Sequence, residues 1–259
     1  MNTTDRAWDW LRRELDRWAE GGRSASFWWR DDDATEPSAE LERLLRLGES
    51  RASALALAVI PALASAELAP YLRSYSRVSV MQHGYAHQSH ARAGDRKLEI
   101  GGNRESAQIL ADLRKGFAIM QDGFGKRFTP VLVPPWNRID ERVLGQLAGI
   151  GFTGISTMRV RRKASPAPGL LQVNTHLDPV NWRRREGFIG LYPSVAILVQ
   201  HLVARRTGYR DFAEPTGILS HHKVQNEAVW HFLDDLVGFL RDHPAVTWLD
   251  SATIWQRPG

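Results

Sequence analysis

The chain has no cysteine. That excludes disulfides and every metal site built on thiolate, and it leaves the redox compartment undecided. No stretch approaches the ~18 uninterrupted apolar residues of a membrane span. Residues 1–20 carry charge throughout and lack the apolar core of a secretory signal, so a cytoplasmic location is expected. Internal repeats and low-complexity tracts are also missing, and no linker divides the chain. A dense basic face is lacking too. The formal net charge is +5 and the pI is about 9.8, which invites a nucleic-acid reading. Yet the basic residues are dispersed, apart from Arg159-Val160-Arg161-Arg162-Lys163 and Arg183-Arg184-Arg185. Both runs fall in expected loops, where solvated charge is the ordinary explanation. Neither nucleic acid nor membrane is expected as a partner.

What is present suffices for a large core, with 259 residues of which 43% are hydrophobic. Trp8, Leu11, Leu15 and Trp18 recur at helical spacing, so an amphipathic helix occupies the region 1–22 and packs on the rest. Gly21-Gly22 ends it. Strands are expected at 25–30, 53–60, 77–81, 128–133, 152–156, 170–175, 217–220 and 246–249. Helices are expected between them: after Ser38 with Leu41, Leu44, Leu45 and Leu47 buried, briefly before 73, and at 103–122, 139–149, 194–205 and 227–241. Residues 88–102 and 159–169 read as loops. Strands alternating with helices predict one α/β domain spanning 1–259, with a parallel sheet that is barrel-like or doubly wound.

The informative polar residues follow the strands, at the end where such folds place their active sites. Gln82-His83-Gly84-Tyr85-Ala86-His87 leaves the strand Val78-Ser79-Val80-Met81. On one helical turn, side chains at i and i+4 share a face, so both imidazoles can reach one ion. A divalent ion such as zinc accepts two neutral imidazoles and commonly a carboxylate, with a position left for water. The carboxylate donor is the triplet Asp31-Asp32-Asp33, which follows the strand Phe27-Trp28-Trp29. Ten tryptophans are a high count, and several fall in loops beside these residues, where their flat faces suit sugar rings.

The order of these motifs resembles the polysaccharide deacetylase superfamily, carbohydrate esterase family 4. That family carries an Asp-Asp pair after the first strand, His-x-x-x-His after a middle strand and a late Leu-x-His. This chain has Asp32-Asp33, His83 with His87, and Leu219-Ser220-His221 in that order, the similarity running from about Phe27 to Trp248. The resemblance implies an irregular (β/α) barrel of about seven parallel strands. It also implies a metal-dependent hydrolase that removes an acyl group, such as acetyl, from an N-acetylated sugar or related small molecule.

Carried over, the family pattern makes Asp32 the general base and Asp33, His83 and His87 the ligands of one divalent ion, zinc. His221 becomes the general acid, with Asp178 of Asp178-Pro179-Val180-Asn181-Trp182 orienting it. Trp136, Asn137 and Trp182 are then substrate-binding. Three consecutive aspartates leave a second register open, with Asp31 as base and Asp32 as ligand. The family's Arg-x-Pro-x-Gly is replaced by Val133-Pro134-Pro135-Trp136-Asn137, so its arginine is out of place and Arg30 or Arg138 is the substitute. Glu99 is a further candidate for the rim. His90, His176 and His222 have no role and are expected to be exposed or merely hydrogen-bonded. The rival reading within the same fold is a sugar-binding or regulatory relative without turnover.

Overall fold

Apolar segments too short for helices become strands covered on both faces. The clearest is β2 (Leu55–Val59), whose five residues are all buried, as a parallel sheet between helices requires. The computed structural model describes residues 3–182 and 187–255. Its elements run α1 (Thr3–Glu20), β1 (Ala25–Ala34), α2 (Ala39–Ser50), β2, α3 (Leu68–Leu72), β3 (Val78–His83), α4 (Ser106–Phe124) and β4 (Phe128–Val133). There follow α5 (Glu141–Leu144), β5 (Gly154–Ile155), β6 (Leu171–Gln172), α6 (Leu191–Arg206), β7 (Thr216–Ser220), α7 (Glu227–Asp242), β8 (Val246–Trp248) and α8 (Ser251–Ile254).

All strand pairs are parallel, in the order β6-β5-β4-β3-β2-β1-β7, with β8 pairing the start of β1. The seven-strand path curls into a half-barrel. No strand ladder joins β6 to β7; residues 173–177 span the gap instead. At one end Thr175 N donates to Thr157 O at 3.0 Å, and at the other His176 N donates to Gly217 O and Leu219 N to Leu177 O, both at 2.7 Å. The expected barrel is thus closed only in part, by a seam of isolated bonds.

Trp28, Ala58, Met81, Val131 and Val133 belong to one buried cluster with Trp255. A larger one joins the sheet to α1, α2, α6 and α7. In α1, Leu11, Leu15 and Trp18 are fully buried, and the helix lies along α6. Ser38 caps α2 through its hydroxyl, accepting from Leu41 N at 3.1 Å, a bond of the kind worth ~1 kcal/mol.

Several boundaries differ from expectation. β1 continues through the acidic triplet instead of stopping before it. α5 holds four residues, because Gly145 ends it and further glycines follow at 149 and 151. β5 and β6 shrink to two residues each, the remainder of the expected 170–175 strand forming the seam. α8 was not anticipated. No helix of the described residues is long and apolar enough to cross a membrane.

Candidate active site

Alternation along β1 sends Asp31 one way and Arg30 and Asp32 the other. Asp31 accepts from Ser220 Oγ at 2.6 Å, His222 N at 3.0 Å and His222 Nδ1 at 2.5 Å. Trp29 Nε1 donates to Ser220 Oγ at 2.9 Å and completes a buried chain between β1 and β7. His222 is therefore fully buried, turned away from the rim and, as expected, merely hydrogen-bonded. Asp32 faces Arg30, which donates from Nη2 to Oδ2 at 3.0 Å and places Nε 2.8 Å from Oδ1. Both side chains are buried. A buried guanidinium needs its remaining donors satisfied, and Ser156 Oγ and Asn137 Oδ1 each accept at 2.7 Å. Arg138 is spent elsewhere, donating to Lys97 O, so Arg30 is the arginine that stands opposite Asp32.

At Asp33 the backbone enters the left-handed region, φ 73°, and the β1–β2 register shifts between Asp31 and Ala34. This turns Asp33 toward the end of β3. Its Oδ1 lies 3.1 Å from His83 Nε2 and 3.3 Å from His87 Nε2. The two histidines do not share a helical turn, contrary to expectation. His83 ends β3, and the chain doubles back through Gly84 at φ 56° to His87 at φ 55°. Glu99 holds that loop, its Oε1 accepting from Tyr85 N at 3.1 Å and Ala86 N at 2.7 Å. The sequence offered Glu99 only as a rim candidate; its contact with this loop was not foreseen.

Burial works against ionisation of Asp33, but the His83 hydrogen bond and the charges of His83, His221 and His87 hold its carboxyl well below the ordinary range. Burial would lower His83, yet Asp32 and Asp33 keep it above its usual value. Burial and the charge of His83 push His87 down. His83 Nδ1 faces the Val133 carbonyl at 3.0 Å. A carbonyl only accepts, so Nδ1 carries a proton, and Nε2 is the atom that donates to Asp33 Oδ1 at 3.1 Å and would exchange that proton for an ion. Two imidazoles and a carboxylate with donor atoms within 4.8 Å of one another fit a first-row divalent ion such as zinc.

Across the rim, His221 follows β7, close enough for its charge to act on Asp33. Its Nδ1 is 3.7 Å from Asp178 Oδ2. Asp178 accepts from Trp182 Nε1 at 2.7 Å and Val180 N at 2.9 Å; burial raises its pKa, opposed by His221 and these bonds. Trp182 is 55% exposed and meets the His221 ring edge-on at 4.7 Å. Trp136 stands 4.5 Å from the His87 ring, with Lys97 Nζ 5.6 Å from its centroid. Asn137, expected among substrate-binding residues, places its side-chain oxygen on Arg30. A cleft of about 470 Å³ opens beside Asp33 and His87, lined also by Thr35, Glu36, Leu63 and Lys223.

A second cluster, His176, His201 and Glu214, lies at the seam and was not anticipated. His176 is buried and stacked on His201 at 3.6 Å. The hydrogen bonding of His176 does not suit a metal ligand. His176 Nδ1 accepts from Gly217 N at 3.0 Å, so the neutral ring carries its proton on Nε2, the atom facing Glu214 at 3.7 Å. The basic loops also differ from expectation: Arg161 is buried and paired with Asp211 Oδ2 at 2.5 Å. Arg183-Arg184-Arg185 lie outside the described residues.

No family model and no curated protein sequence matches the chain. Solved structures do. A carbohydrate esterase family 4 esterase from Streptococcus mutans superposes with TM-score 0.57 at 13% identity, covering 92% of this chain and 89% of that one. A family 4 acetyl xylan esterase from Clostridium thermocellum, in complex with a cobalt ion, gives 0.55 at 14% identity, covering 88% and 89%. A mutant of a family 4 pseudoenzyme with restored enzymatic activity gives 0.57 at 12% identity, covering 90% and 68%. The chain thus has the polysaccharide deacetylase fold, in a divergent version.

Proposed function

We propose that the chain is a divergent, metal-dependent deacetylase that cleaves the carbon–nitrogen bond of an N-acetylated sugar or related small molecule. The observation that carries this reading is Asp32: a buried carboxylate, paired with buried Arg30, beside the Asp33–His83–His87 donor set and on the same rim as His221. Those three residues would hold zinc, which when bound polarises the substrate carbonyl and lowers the pKa of a water from ~15.7 toward ~7. Asp32 takes the proton of the attacking water, and Arg30 fixes its orientation and balances its charge. His221 gives a proton to the leaving nitrogen. Asp178, opposite Nδ1, orients that ring, and Trp136 and Trp182 supply flat walls for a sugar. One feature of the sequence favours a sugar-binding relative without turnover: the replaced arginine motif. Arg30 facing Asp32 weighs against that alternative.

The leaving group supplies the test. An amide nitrogen departs poorly unless protonated, whereas an activated acetyl ester needs no acid. His221→Ala should keep metal and substrate affinity but lower turnover of an N-acetylated sugar by roughly two to four orders of magnitude, with the activated ester nearly unaffected. Equal loss on both substrates, or on neither, would remove His221 as the acid and with it the main support for hydrolysis.

A further inference from the structure

We propose that Glu99 is a positioning residue that gives the loop from His83 to His87 its metal-binding shape; this inference rests on the metal-dependent reading above. In a helix, two histidines four apart face one ion through local geometry alone. Here they do not share a helix. A chain leaving β3 fully extended would carry His87 roughly 13 Å from His83 at ~3.3 Å per residue. The loop instead folds back, with left-handed backbone at Gly84 and His87. That turn points the N–H groups of Tyr85 and Ala86 inward, and Glu99 Oε1 accepts both.

Glu99 is itself fixed. It is 4% exposed, and its neighbours are pinned, His90 N donating to Leu98 O at 2.8 Å and Asp140 N to Ile100 O at 2.9 Å. Its Oε2 is buried without a hydrogen-bond partner and occupies the space that a Cβ on Gly84 would take, with Pro135 pressing there as well. Glycine at 84 and glutamate at 99 are two halves of one device. Glu99 touches neither substrate nor reacting atoms; it acts through His87.

The experiment measures zinc affinity by competition with a chromogenic chelator for the native protein, Glu99→Ala, Glu99→Gln and Gly84→Ala. Glutamine keeps the carbonyl acceptor but drops the charge. Glu99→Ala should weaken zinc binding by about 10–100-fold, with Glu99→Gln within about threefold of native. At saturating zinc, kcat of Glu99→Ala should return close to native with KM unchanged, because the loop acts through the ion's site and not on the substrate. Gly84→Ala, which displaces Glu99 Oε2 while leaving the carboxylate in the chain, should also weaken zinc, so the test survives if Glu99→Ala fails to fold. Native affinity in Glu99→Ala, or Glu99→Gln as weak as Glu99→Ala, overturns the proposal. A native protein that binds no zinc overturns the metal-dependent reading itself, and that is seen before any variant is compared.

Discussion

Among the described residues are two clusters of two histidines and one carboxylate, and they are not equivalent. At the rim, His83 Nδ1–H donates to the Val133 carbonyl, so Nε2, which meets Asp33 Oδ1, is the atom that can exchange its proton for an ion. At the seam, His176 Nδ1 accepts a hydrogen bond from Gly217 N–H, so the neutral ring carries its own proton on Nε2. The backbone partner of the far ring nitrogen sets which cluster is the better suited to hold an ion. Access differs as well: His87 borders the cleft, whereas His176, His201 and Glu214 are all buried. Donor types and proximity do not make a metal site; the tautomer and a path for water do.

The largest effect that bears on this contrast comes from His83→Ala with His87→Ala. Metal in the purified protein should fall from about one equivalent to almost none, since a three-ligand site does not survive on one. Hydrolysis should vanish with it. Elemental analysis checks this, and a full equivalent retained in the double variant would mean that the seam binds an ion and that the contrast is wrong.

A smaller effect sharpens the other side. Burial pushes Glu214 up to about 7, above its ordinary 4.5, so its contribution to stability is complete below pH 4.5 and is lost as pH rises through 7. Burial, with the charge of Arg205, holds His176 at about 3. Burial, with the charges of His176 and Arg205, holds His201 at about 2. Their contributions are present above pH 6.5 and fade as pH falls. Glu214→Gln removes the first slope and leaves the second. Relative to native, the variant's unfolding free energy should rise between pH 4.5 and 7 in denaturant titrations. Parallel curves for the two proteins would show that Glu214 is not held protonated.

How much of this could be read from the residues differs between the two clusters. The rim motifs are short, sit directly after apolar strands, and follow one another in the order of a known family. The grouping of Asp33 with His83 and His87 was therefore expected from that resemblance. The helical turn at His83–His87 was not correct, because spacing of four says nothing about whether a loop or a helix supplies the bite. Arg30 was one of two arginines on offer, and only the burial of β1 with Ser156 and Asn137 separates it from Arg138. The seam cluster left no local trace. Its members come from an irregular segment, from the middle of α6 and from the loop before β7, and tertiary packing alone brings them together. The shortness of β5 and β6 was hidden in the same way, since apolar content does not reveal where a ladder gives out.

Whether Asp32 is a base beside a metal can be tested directly with one variant. Acetate release from a panel of N-acetylated sugars should be measured for native protein and Asp32→Asn, with metal content determined on the same samples. Asp32→Asn should keep native metal stoichiometry and lower acetate release by roughly two to four orders of magnitude, because the amide cannot accept the water's proton. Undiminished release in Asp32→Asn, or metal lost from it while Asp31→Asn keeps metal and loses activity, would contradict the account.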